Sequence, residues 1–229
     1  MNSSKKTARI VGALFLIAMV ASLAGGIWLE SMIGAGDDPT AISANATQVI
    51  LAVLLELTNC IAVVGIAVFM FPIFKVTDEA LAIGYVALRI VEAAILVAAV
   101  VGPLALVALS QEYLTAGAQD ASYFRALGTA FMAVRAQLTG LLLVVFFSLG
   151  ALVFYYLLYR SKLVPRFIPI WGFIAVALVF TWNFLAAFDI SLPGAVIFVL
   201  PIILNEIFLG IWLIVKGFDS PATASMAAN

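Results

Sequence analysis

The sequence predicts an all-α fold: a polytopic membrane helix bundle of six transmembrane helices with both termini cytoplasmic. Three observations predict it. Of 229 residues, 66% are hydrophobic and only 10% charged, where a soluble domain would carry roughly a quarter charged residues. Mean hydropathy is +1.23, too apolar for the chain to cover itself with polar surface, so its solvent is lipid. Six apolar stretches, at 8–33, 48–74, 80–110, 137–159, 167–188 and 194–215, each exceed the roughly 18 residues that mark a span. The whole length, 1–229, reads as a single integral membrane domain.

The first stretch follows Lys5, Lys6 and Arg9 and passes Ser22-Leu23-Ala24, which imitates a signal peptide and its cleavage site. Its apolar run continues through Trp28 and Leu29, longer than a signal needs, so a retained first span is expected. Gly34 to Pro39 break it from the second, with Asp38 placed as N-cap and Pro39 as first helical residue, so a helix is expected from about 39. Thr77-Asp78-Glu79 starts the third in the same way, after a turn from Pro72 to Lys75. Phe124, Leu127, Phe131, Val134 and Leu138 fall on one helical stripe, so the fourth helix is expected to start near 123 and project beyond the bilayer. With the second and third it would form a small vestibule on one side. Ala18, Ser22 and Gly26, and Ala94, Ala98 and Gly102, recur every four residues, a spacing that lets helix backbones pack closely.

Orientation follows from charge. Lys5, Lys6, Arg9, Lys75, Arg160, Lys162, Arg166 and Lys216 fall on the side of the N-terminus. Asp37, Asp38, Glu112, Asp120 and Asp189 fall opposite, with only Arg125 near them. The positive-inside rule then makes both termini cytoplasmic. Tyr155, Tyr156, Tyr159, Trp171 and Trp212 are expected at the inner interface and Trp28, Tyr113 and Tyr123 at the outer one.

Several chemistries are excluded. The chain has no histidine, hence no His-ligated haem, no His-containing zinc site and no His-dependent nucleophile. No lysine inside an apolar run offers a Schiff-base anchor. Cys60 is the single cysteine, so no intrachain disulfide forms. A net charge of −1 argues against a nucleic-acid partner. No cofactor, metal ligand set or catalytic group is implied. Asn45-Ala46-Thr47 fits a glycosylation sequon, a short match that carries little weight.

The informative residues are polar groups inside the spans: Glu56 and Asn59 in the second, Arg89 and Glu92 in the third, Arg135 in the fourth, Asn205 and Glu206 in the sixth. One charge left at mid-bilayer costs about 2.5–3.5 kcal/mol, so these must face inward and pair. Arg89 and Glu92 are three apart and share a helix face, and Glu206 lies at a matching depth. A ligand-binding or structural ion cluster of Arg89, Glu92, Asn205 and Glu206 is therefore expected, with Glu56, Asn59 and Arg135 as a second polar group. Three glutamates face two arginines, leaving one carboxyl over as a site for a proton or small solute. Pro103 and Pro201 are placed to kink the third and sixth helices near the cluster. The two halves, three spans each, would run with opposite orientation, although no repeat aligns.

The run Leu88-Arg89-Ile90-Val91-Glu92-Ala93, the segment Arg160-Ser161-Lys162-Leu163-Val164-Pro165-Arg166, and Asn205-Glu206 followed by Trp212-Leu213 and Lys216-Gly217 together resemble an uncharacterised bacterial family of six-span integral membrane proteins known only as a domain of unknown function. The resemblance extends from Ala8 to Gly217. It implies the same topology and a bacterial cytoplasmic membrane, and brings no activity.

Function is then read from the buried charges. A carrier or channel for a small solute is the leading expectation. A non-catalytic sensor or assembly subunit acting through partner or lipid contacts is the alternative. An intramembrane lipid-modifying enzyme comes third, because paired carboxylates could serve acid–base chemistry but no nucleophile–base pair accompanies them.

Overall fold

The computed structural model describes residues 3–117, 121–190 and 193–219, and among these every regular element is helical. In order they are α1 (Ser3–Ile33), α2 (Pro39–Ala44), α3 (Ala46–Phe74), α4 (Glu79–Ala99), α5 (Val101–Thr115), α6 (Ser122–Gln137), a π-helical turn (Leu138–Leu142), α7 (Leu143–Ser161), α8 (Phe167–Ala186) and α9 (Ala195–Val215). Six of the resulting rods are long and apolar enough to cross a membrane: α1, α3, α4 with α5, α6 with α7, α8 and α9. Asp120 lies outside the described residues.

Local chemistry sets the helix starts. Asp38 accepts from the N–H groups of Thr40 and Ala41, both at 3.0 Å, with Pro39 behind it. Asp78 accepts from Leu81 N–H at 3.1 Å. Each satisfies donors that a helix N-terminus leaves without an intrahelical acceptor. The helix begun at Pro39 does not run on as one rod. It breaks at Asn45, whose side-chain amide donates to the Ala41 carbonyl at 2.9 Å, and α3 starts afresh at Ala46. At its far end α3 continues through Pro72 to Phe74, past the position where a turn was expected.

The spans close a ring. Each packs along its neighbours in sequence, and α9 returns to lie against α1. Glycines permit the closest approaches: a Cβ on Gly12 of α1 would run into the backbone of Gly210 of α9, and one on Gly25 would press on Ala52 and Leu55 of α3. The small-residue stripes expected from sequence hold in part. Ala18 packs with Ala62 and Val63, and Gly102 approaches Phe131 closely, whereas Ala94 and Ala98 face outward and Ser22 is exposed while Gly25 is buried.

Inside the ring, the half toward the N-terminus is filled by aromatic rings. Phe15, Phe74, Tyr85, Phe154 and Tyr155 are all at most 4% exposed, with centroids 5.4–6.0 Å apart in successive contacts. Tyr155, expected at the interface, is therefore part of this plug: its hydroxyl finds a partner in Asn205, which removes the need for water. Leu163 and Val164 of the α7–α8 connection are also fully buried, and the Leu163 carbonyl accepts from Asp219 N–H at 2.9 Å.

At the opposite end a second core joins Leu29, Ile33, Ile42, Val49, Leu106 and Phe124. The third and fourth rods hold 37 and 40 residues; at 1.5 Å per residue they are about 55 and 60 Å long, against a hydrocarbon core of about 30 Å. Their excess, with α2, makes a packed helical cap. Gly36, at φ +79°, brings the α1–α2 loop onto Gly128 of α6 so closely that a Cβ on either residue would overlap the other's backbone. Val134 does not join the buried stripe of α6; it is 58% exposed and Arg135 is the buried neighbour.

Candidate functional site

Among the described residues, two ion pairs are buried within the bundle. In the first, Arg135 of α6 reaches Glu56 of α3 with both ends of its guanidinium: Nη1 donates to Oε2 at 3.1 Å and Nη2 to Oε1 at 2.5 Å. Nη1 also donates to the Ala99 carbonyl at 3.0 Å. Pro103 explains that third bond. A proline has no N–H for the carbonyl four residues before it, so Pro103 frees the Ala99 oxygen at the point where α4 gives way to α5. Pro201 behaves differently, since α9 runs through it without interruption.

The π turn completes this arrangement. One extra residue in a turn rotates everything beyond it by about 100° relative to a regular helix. The face that carries Arg135 thereby continues through Leu143 and Phe147, both directed into the ring, while Leu142 is 43% exposed.

In the second pair, Arg89 Nη1 donates to Glu92 Oε2 at 2.7 Å along one face of α4. The guanidinium lies 5.4 Å from the ring centroid of Tyr85 and 5.6 Å from that of Phe147, a cation–π environment that offsets part of its desolvation. Its Nε is buried without an acceptor and points to Gly150 of α7, where a Cβ would sit 3.5 Å away. Glycine there makes room for the arginine stem.

This pair borders a half-open cavity of about 210 Å³ at the centre of the ring. Five of the six spans line it: α1 with Phe15 and Ser22, α3 with Asn59, α4 with Arg89 and Glu92, α7 with Phe147, and α9 with Glu206. The aromatic plug forms its floor toward the N-terminal end. On the other side packing is loose: residues 138–147, 180–186 and 195–201 include no fully buried side chain, whereas Ala21, Gly25, Leu29 and Ile33 of α1 are buried at comparable heights.

The structure thus brings together Arg89, Glu92 and Glu206 around one void, adds Asn59 to it, and joins Glu56 to Arg135 elsewhere. Glu206 is partly exposed, and among the described residues it has no hydrogen bond and no cation within 4.0 Å. Asn205 does not belong to the cluster. It turns away, accepting from the Tyr155 hydroxyl at 2.7 Å and donating to the Ile168 carbonyl at 3.0 Å, so it fastens α9 to α7 and α8. Adjacent helix positions differ by 100°, and one of the two had to leave. Asn59 likewise faces the cavity and not the Glu56–Arg135 pair. Phe15 and Phe147 were not singled out from sequence, because apolar residues inside an apolar span carry no signal of which ones face a void.

The family model described as "Domain of unknown function (DUF4386)" matches residues 10–217. None of the curated proteins and none of the solved structures matches the chain.

Proposed function

Since the chain belongs to the DUF4386 family, whose description assigns no activity, we propose its function from the geometry of the buried site: a carrier for a small solute, working in a bacterial cytoplasmic membrane with both termini cytoplasmic. The observation that carries this reading is the unpartnered Glu206 carboxylate facing the same cavity as the Arg89–Glu92 pair. A charge serving only helix register would be expected to find a partner, as Arg135 does. The packed aromatic floor favours a carrier over an open channel, because a channel needs a continuous polar path and Phe74, Tyr85 and Phe154 leave none at that level. The loosely packed side, formed by the π turn and the far halves of α8 and α9, is the route by which a solute would enter. The orientation rests on the basic residues clustered at the N-terminal end.

The test uses purified protein in proteoliposomes, screened for uptake of small amines, carboxylates and alcohols. Uptake of one class, reduced in Arg89→Ala and Glu206→Gln, supports the reading. Absence of uptake of all three, together with failure of a charged thiol reagent to reach a cysteine placed at Ser22 in a Cys60→Ala background, contradicts it.

A further inference from the structure

We infer that the cavity takes a small organic cation, an ammonium group carried on an apolar body of about benzyl size. The inference rests on the reading that the void holds a solute, and it follows from how the charges around it are already committed.

Three ionisable groups face the void: Arg89, Glu92 and Glu206. Arg89 is committed in part, through Nη1 to Glu92 at 2.7 Å and by the rings of Tyr85 and Phe147 on its flanks, with Nε left without an acceptor beside Gly150. An anionic guest at Nη1 would displace Glu92, and anywhere in the void it would lie beside the Glu206 carboxyl, a like-charge contact in a site shielded from water once that group is ionised. A cationic guest meets the opposite situation. Two carboxyl groups face one guanidinium, so with both ionised the cavity lacks one positive charge, and Glu206 is the group with no ion pair. Asn59 offers a side-chain carbonyl as a further acceptor, and the aromatic rings of Phe15 and Phe147 line the same void, a type of side chain that attracts ammonium groups. The rest of the wall, Ala18, Met19, Val63 and Leu96 among it, is apolar and suits a hydrocarbon body.

Size is compatible with this guest. A cavity of about 150 Å³ holds a benzene ring, so 210 Å³ suits a compact aromatic amine.

The experiment follows the labelling rate of Ser22→Cys in the Cys60→Ala background, in nanodiscs, by a charged thiol reagent, with benzylamine, benzyl alcohol or benzoate added. Benzylamine at ten times its dissociation constant is expected to slow labelling about tenfold by mass action, and Glu206→Gln in the same background is expected to abolish that protection while leaving the cysteine reactive. Labelling that benzylamine does not slow, or that benzoate or benzyl alcohol slows as well as the amine does, overturns the cation assignment while the solute site stands. A cysteine that never labels removes the site itself, and the cation assignment falls with it.

Discussion

Glu56–Arg135 and Arg89–Glu92 are both buried between membrane-spanning helices, and both arginines are at most 6% exposed, yet their surroundings differ in kind. Arg135 spans two rods, binds both oxygens of its carboxylate and captures a carbonyl that a proline released. Arg89 pairs within its own helix through one nitrogen, keeps an unsatisfied Nε, and borders a void that holds a second carboxylate. Burial of charge in a bundle does not by itself mark a site. A fully bonded pair fixes how helices meet, and a partly bonded group beside empty space is available for something else.

The largest expected effect breaks the first pair. Arg135→Met leaves the Glu56 carboxylate and the Ala99 carbonyl buried without donors, a loss of about 3–5 kcal/mol readable as a lowered melting temperature in detergent. Joining it to Glu56→Leu should recover much of the loss, since removing both partners is far less costly than removing one. Equal melting of the single and double variants would break the structural half of the comparison.

Asn205→Ala comes next. It strands the Tyr155 hydroxyl and removes the second bond to the Ile168 carbonyl, costing about 1–3 kcal/mol, and it should leave solute protection at Ser22 unchanged because Asn205 faces away from the cavity. Pro103→Ala is smaller still. The new N–H competes with Arg135 for the Ala99 carbonyl, one hydrogen bond exchanging for another, so the net change should stay below about 1 kcal/mol; a drop as large as that of Arg135→Met would mean the kink itself, and not the freed oxygen, holds the pair together. The smallest expected change in stability is Glu206→Gln. It removes a charge that has no partner, so melting should stay constant or rise by a few tenths of a kcal/mol, even as amine binding disappears. A loss of stability matching that of Arg135→Met would erase the distinction between the two regions.

The course of the chain was legible at the level where lipid imposes the rules. Six spans, the capping aspartates Asp38 and Asp78, and the projecting third and fourth helices follow from apolar length and turn chemistry. What escaped depends on angular position. Asn205 and Glu206 are neighbours in sequence and point to different partners. The π turn at Leu138–Leu142 has no sequence mark beyond Gly140, yet it decides that Leu143 and Phe147 line the void. Tyr155 reads as an interfacial tyrosine and lies in the core, because its partner Asn205 is 50 residues away. The closure of α9 onto α1 was equally hidden, since glycine pairs such as Gly12 and Gly210 show their meaning only once the two helices are in contact.

If aqueous solutes reach the void beside Glu206 while Arg135 seals Glu56, the two carboxyls differ in reactivity. The most direct measurement treats the native protein in nanodiscs with a water-soluble cationic carbodiimide and locates the modified carboxyls by mass spectrometry. Modification of Glu206, with Glu56 untouched, is the predicted result; an unmodified Glu206, or equal reaction at both, would contradict the account.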